Sequence, residues 1–184
     1  MGAIAFETAR LRLRELASED AAFILELVNE PAWLRFIGDK GVRTLADARK
    51  YIAEGPVASY RANGFGLFLV ERKEPPASPT PIGMCGLIRR PTLEDVDLGF
   101  ALLERHEGRG YTREAAAAVV EFGRTTIGLK RLVAITVPEN VRSIRVLETV
   151  GFAFERRVKL SAEGEELALY ARDLSHTAEL ENRA

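Results

Sequence analysis

The feature that most constrains this chain lies near its middle, where a strand pattern, a glycine-bearing turn, a long amphipathic helix and a second strand follow one another over residues 96–137. Val96, Leu98, Phe100 and Leu102 alternate with Asp97, Gly99 and Ala101, the period of a strand over residues 96–103. Glu107-Gly108-Arg109-Gly110-Tyr111-Thr112 comes next. Over residues 112–127, Ala115, Ala118, Val119 and Phe122 recur at helical spacing, and Gly128 is placed to end the helix in the left-handed conformation. Residues 132–137 then read as a strand. A strand, helix and strand of these lengths make one parallel crossover, because a parallel neighbour needs a connection that returns to the starting edge.

The flanking segments supply antiparallel strands and covering helices. Leu11 and Leu13 alternate with Arg10, Arg12 and Arg14 in a half-buried strand over residues 8–16. Ser18 reads as the cap of a helix carrying Phe23, Ile24, Leu27 and Val28, which Pro31 closes. Thr44 with Asp47 opens a second helix through Ile52, which Gly55-Pro56 must kink or interrupt. Residues 65–71 and 82–90 flank a loop, residues 74–81, that contains four prolines, and read as a hairpin. A short helix over residues 140–150 ends at Gly151, and strands over residues 152–160 and 166–173 complete the chain before a polar tail, residues 175–184, that is expected to fray. The expected class is α/β with an α+β-like mixed sheet: about seven mostly antiparallel strands, one parallel crossover and about four helices, in a single domain with its core over residues 8–174.

Composition narrows the function classes. A chain of 184 residues with 47% apolar side chains suits one domain of ordinary core size. Charged residues are abundant but sum to a net charge of −1, so no global field draws it to nucleic acid or an anionic membrane. Cys85 is the single cysteine; flanked by Met84 and Gly86 in an apolar run, it reads as core and permits no internal disulfide. The N-terminal residues lack the pattern of a secretion signal and no apolar run is long enough to span a bilayer, which favours a cytoplasmic protein. His106 and His176 sit outside any metal-ligand spacing and read as solvated loop positions, so no metal is expected.

Gly108 and Gly110 allow a tight turn and close approach of a ligand to the backbone, and the amides and dipole at the start of the following helix favour a phosphate there, with Arg109 able to add a charge-assisted contact. A plain strand-to-helix turn also uses glycine. The loop is neither a P-loop nor a dinucleotide fingerprint, since it has no Gly-Lys-Ser/Thr and no third glycine at the required spacing. The small residues Gly99 and Ala101 beside Asp97 suit either an extended ligand arm or a closely packed helix.

Four segments in this order resemble the GCN5-related N-acetyltransferase superfamily, specifically its branch of ribosomal-protein N-terminal acetyltransferases: Thr8-x-Arg10-Leu11-x-Leu13-Arg14, Asp97-Leu98-Gly99-Phe100, Gly108-Arg109-Gly110-Tyr111-x-x-Glu114-Ala115, and Asn140-x-x-Ser143 with Val146-Leu147-Glu148-x-x-Gly151-Phe152. The resemblance implies transfer of acetyl from acetyl-CoA to a primary amine of a protein N-terminus or a small molecule, by direct attack in a ternary complex. It implies that Gly108, Arg109, Gly110, Tyr111 and Thr112 hold the coenzyme's pyrophosphate, and that Phe100, Ala101 and Leu102 pair with its pantetheine arm like an added strand. Asn140 would bond the pantetheine amide or simply cap its helix. Where the superfamily loop usually begins with Gln or Arg and ends with Gly or Ala, this chain has Glu107 and Thr112; the carboxylate is expected to face solvent and Thr112 to cap the helix.

Leu147 stands where many members of that superfamily carry a tyrosine acid, so Ser143 becomes the candidate proton donor to the leaving thiolate, or else satisfies its own helix. Asp97 is the candidate base, directly or through water, or else a paired structural carboxylate. Trp33, Phe36 and Tyr51 line the acceptor groove or fill core, and Tyr170 reads as packing. The expected partners are an amine acceptor and no nucleic acid or membrane, with the chain a monomer or homodimer. The alternative class is a non-catalytic coenzyme A-binding sensor or interaction module.

Overall fold

The computed structural model describes residues 2–73 and 79–175, so most of the proline-rich loop, His176 and the rest of the tail lie outside the described residues. One sheet holds eight strands in the order β1-β2-β3-β4-β5-β6-β8-β7. These are β1 (Ile4–Glu7), β2 (Leu11–Arg14), β3 (Leu67–Arg72), β4 (Thr80–Ile88), β5 (Val96–Leu102), β6 (Arg131–Thr136), β7 (Ala153–Val158) and β8 (Leu167–Asp173). Every neighbouring pair is antiparallel except β5 and β6, which are parallel and joined through helix α5 (Tyr111–Thr125). The expected crossover is present, in a mixed sheet one strand larger than expected. The additional strand, β1, is only four residues long and pairs with β2 through a bulge.

Period-two alternation divides the middle strands between two faces. Phe68, Val70, Cys85, Leu87 and Leu98 point to the side covered by α5, where Ala115, Ala116, Val119 and Val120 pack on them. Small side chains on that helix let it sit close to β4 and β5. Cys85 is fully buried there, and burial pushes its thiol well above the ordinary range, in keeping with a core role. Leu69 and Met84 point to the opposite side, covered by Ile24 and Leu27 of α1 (Ala21–Leu27), Trp33 of α2 (Pro31–Phe36) and Ile52 of α3 (Leu45–Ile52). Helix α4 (Ala58–Asn63) follows α3 through a single wide turn, Ala53–Val57, that contains Pro56. The proline has no N–H to donate, and the widened turn carries the helical path past it as a kink instead of a break.

Local signals explain most boundaries. Thr44 and Asp47 form the expected reciprocal cap: the Asp47 N–H donates to Thr44 Oγ1 at 3.1 Å and the Thr44 N–H to Asp47 Oδ2 at 2.9 Å. Gly128 is left-handed, at φ +78°, three residues after α5 ends. Two expectations need correction. Pro31 opens α2 instead of only closing α1, because a proline in the first helical turn forfeits an N–H that has no intrahelical acceptor anyway. Ser18 caps nothing: Ser18–Asp20 is a 3₁₀ turn and α1 starts at Ala21.

The reason is Asp20, which turns inward to accept two hydrogen bonds from the Arg14 guanidinium at 2.7 and 2.8 Å and one from the Ala17 N–H. Arg14 also donates through Nε to Glu71 at 2.9 Å. All three side chains are at least nine-tenths buried, so Arg14 belongs to the interior of β2 and not to a polar face. The pair of carboxylates compensates its buried charge.

Candidate active site

β5 and β6 pair only at Val96 with Leu132 and Asp97 with Val133. Beyond those residues β5 stays with β4 as far as Leu102, and β6 stays with β8 as far as Thr136, so the two strands splay apart. The splay leaves the β6-facing edge of β5 without a strand partner from Leu98 onward and opens a cleft of about 1660 Å³ through the sheet. On the α5 side it is lined by Phe100, Leu102, Gly108, Thr112 and, from α6 (Val141–Thr149) and its cap, Asn140, Ser143 and Leu147; on the other side it is lined by Asp97, Ala101, Trp33, Phe36 and Tyr51. The sequence candidates Asp97, Phe100, Ala101, Leu102, Gly108, Thr112, Asn140 and Ser143 are thereby brought to one cavity.

Arg109, Gly110 and Tyr111 do not line that cavity. The Tyr111 ring is buried in the core under the Arg10 guanidinium, 4.7 Å from the ring centroid, and the Arg109 side chain is exposed. Gly108 and Gly110 are both left-handed, at φ +73° and +78°, and a Cβ at Gly108 would meet nothing within 4 Å, so a ligand can come close to the chain there. Gly110, not Thr112, is the cap residue of α5, and no side chain caps that helix. Thr112 instead lies in the first turn, where glycine's positive φ has already satisfied the change of direction.

A clamp from the turn between β1 and β2 fixes this loop. Glu114 accepts from the Thr8 hydroxyl at 2.5 Å, from the Arg10 N–H at 3.0 Å and from Arg10 Nε at 2.6 Å. Arg10 Nη1 donates to the Arg109 carbonyl at 3.0 Å. The first and third sequence motifs are therefore two halves of one contact. Glu107 does not face solvent alone: its Oε2 accepts from Nη1 of Arg142 on α6. The expectation fails because α6 brings a cation within reach that lies 35 residues away in the chain.

Asp97 sits at the vertex of the splay with only 1% of its surface exposed. Arg90 Nε donates to its Oδ2 at 2.6 Å, while Oδ1 is buried with no partner among the described residues. Burial pushes this carboxyl up to about 6, against the opposing pull of the Arg90 charge and its hydrogen bond. Arg90 was not legible as a site residue, because its approach depends on the length of the turn between β4 and β5. Burial likewise raises the Tyr51 hydroxyl, with Arg90 opposing.

Across the cleft, Asn140 Oδ1 accepts the Ser143 N–H at 3.1 Å and so caps α6. Its amide nitrogen is not used by that cap. The Ser143 hydroxyl makes no hydrogen bond among the described residues, so it does not satisfy its own helix. Leu147, one turn on, is 1% exposed and makes the wall apolar. Tyr170 packs edge-to-face against Phe154 at 5.8 Å, as expected of a core residue. His106 is half-buried instead of solvated, and burial lowers its basicity. Among the described residues no helix is long and apolar enough to cross a membrane.

A mixed sheet with one parallel pair, split beside a glycine loop at a helix N-terminus, defines a class. Residues 10–153 match the acetyltransferase (GNAT) domain, and the chain belongs to that family; it is an acetyltransferase. It is 28% identical over 152 residues to p20, an uncharacterized N-acetyltransferase of Bacillus licheniformis, spanning 80% of this chain and 82% of that one. An acetyltransferase from Agrobacterium tumefaciens superposes with a TM-score of 0.76 at 28% identity over 91% of this chain and 92% of that one. RimL, a ribosomal L7/L12 alpha-N-protein acetyltransferase in complex with coenzyme A, shares the fold with a TM-score of 0.78 at 19% identity, over 94% and 98% of the two chains.

Proposed function

We propose that the cleft binds acetyl-CoA and that the protein transfers the acetyl group to a primary amine by direct attack in a ternary complex, as a relative of the ribosomal-protein N-terminal acetyltransferases. The observation that carries this reading is the splay of β5 from β6 with Asp97 buried at its vertex. The residues present suit the donor. The open backbone at Gly108, the uncapped start of α5 and Thr112 would hold its diphosphate, and the free edge of β5 at Phe100, Ala101 and Leu102 would take the pantetheine arm as an added strand. Bound acetyl-CoA supplies an activated thioester.

This chain's residues then supply the rest. The splay joins the two faces of the sheet, so a donor lying along α5 and α6 meets an acceptor entering between α2, α3 and β5, with Trp33, Phe36 and Tyr51 as walls. Asp97, ionised at neutral pH, takes the proton that the amine must lose through its unpartnered Oδ1. The Ser143 hydroxyl donates a hydrogen bond to the leaving sulfur and stabilises its thiolate, which takes its proton from solvent on release, and Leu147 keeps that wall apolar.

The proton balance bears on the acceptor amine. Passing a proton from an α-amine, pKa near 8, to a carboxylate at about 6 is uphill by about 3 kcal/mol, but from a lysine amine near 10.4 it is uphill by about 6 kcal/mol. An α-amine, of a protein N-terminus or a small molecule, is easier to deprotonate than a lysine or polyamine amine by about 3 kcal/mol whatever the base, and is the acceptor class proposed. Thiol release from acetyl-CoA, followed over a panel of peptide N-termini, amino acids, aminoglycosides and polyamines, tests both parts. Release with α-amines ahead of polyamines is expected; binding of coenzyme A without release on any amine overturns the enzymatic reading.

A further inference from the structure

Glu107 is an anion placed where the proposed donor is most negative. It immediately precedes Gly108, lines the cleft, and is about one-third exposed. An uncompensated carboxylate there would repel a diphosphate bound at the glycine loop. The carboxylate is compensated by Arg142, in the first turn of α6, which also lines the cleft. The two side chains come from opposite banks, one from the loop after β5 and one from the helix after β6, and meet across the mouth of the splay. Arg142 spends Nη1 on this contact, and its Nε and Nη2 donate to no group among the described residues.

We propose that Arg142 is a coenzyme-binding residue that contacts the donor's diphosphate, and that Glu107 is its positioning residue, holding an otherwise solvated guanidinium against the glycine loop. The inference rests on acetyl-CoA being the donor. At 76% exposure, Arg142 without a tether would sample many rotamers, and each would have to be given up on binding. The carboxylate settles that cost in advance and leaves the planar fork with donors to spare, which a lysine's point charge would not reproduce. The same geometry makes the pair interdependent: removing Arg142 alone leaves Glu107 facing the phosphates.

Calorimetric titration with acetyl-CoA, and with acetyl-pantetheine, which lacks the phosphates, tests this on wild type, Arg142→Gln, Glu107→Gln and the double variant. Both positions are surface-accessible, and circular dichroism checks that each variant is folded. Arg142→Gln is expected to weaken acetyl-CoA binding by about tenfold or more, the scale of one charge-assisted hydrogen bond plus the exposed carboxylate. In the Glu107→Gln background the same change is expected to cost about threefold or less, while acetyl-pantetheine binding is unaffected throughout. An equal factor in both backgrounds, or an equal loss with acetyl-pantetheine, overturns the pairing while leaving the donor assignment standing. Absence of acetyl-CoA binding by the wild-type chain overturns the donor assignment itself, and this inference with it.

Discussion

Replacing Asp97 by Asn should separate catalysis from stability in opposite directions. Burial raises this carboxyl from 3.8 to about 6, so the folded chain favours its protonated form over a range in which the unfolded chain has already ionised. Stability therefore falls as pH rises from about 3.8 to about 6 and then levels; a gap of about two units amounts to about 3 kcal/mol at higher pH. Asparagine has the same shape and no charge to desolvate, and Arg90, with a third of its side chain exposed, can turn toward water. Asp97→Asn is thus expected to be at least as stable as wild type at pH 8, with its advantage shrinking toward pH 4. Its turnover should fall by roughly 10²–10⁴, the usual contribution of a general base. Wild-type kcat/KM, measured by thiol release at subsaturating acceptor and reporting groups of the free enzyme, should include an acid limb centred near 6, falling about tenfold between pH 7 and pH 5 as Asp97 protonates. A variant that keeps wild-type kcat with the acid limb intact refutes the role as base. A melting temperature several degrees below wild type at pH 8 refutes the argument from burial.

Three further outcomes follow from contacts elsewhere. Arg14→Met leaves Asp20 and Glu71 buried without their cation and should cost about 3–5 kcal/mol, read as a lower urea midpoint; an unchanged midpoint would mean the network carries no weight. Arg10→Ala removes the clamp on the Arg109 carbonyl and Glu114, and should raise KM for acetyl-CoA by about tenfold with kcat little changed. Equal losses in both constants would speak against a role confined to loop positioning. Ser143→Ala should lower kcat by about tenfold or more with the affinity for acetyl-CoA unchanged, whereas an unchanged kcat removes Ser143 from stabilisation of the leaving thiolate.

What could be read from sequence was local. The β5–α5–β6 crossover was legible because its periodicity, its glycines and its lengths each point to the same arrangement over 40-odd residues. The glycine loop and the candidates Asp97, Asn140 and Ser143 came with it. Helix α2 was hidden because Pro31 serves equally as the end of one helix and the first residue of the next. The fate of the charged residues was the larger gap. Arg14 looked like the solvent face of a strand, yet its partners are six and 57 residues away and pull it inside. Arg10 and Glu114, 104 residues apart, and Glu107 and Arg142 meet only once the sheet order is set. Burial pattern is written in neighbours, whereas ion pairing depends on chain topology.

In the proposed complex a donor threads the splay, with its arm on the free edge of β5 and its diphosphate at the start of α5. Amide hydrogen exchange with and without saturating acetyl-CoA tests this most directly. Added protection is expected at residues 98–102 and 108–112, with β7 on the far edge of the sheet unchanged. Acetyl-CoA binding that leaves both segments unprotected, or protects a different surface, would contradict this placement.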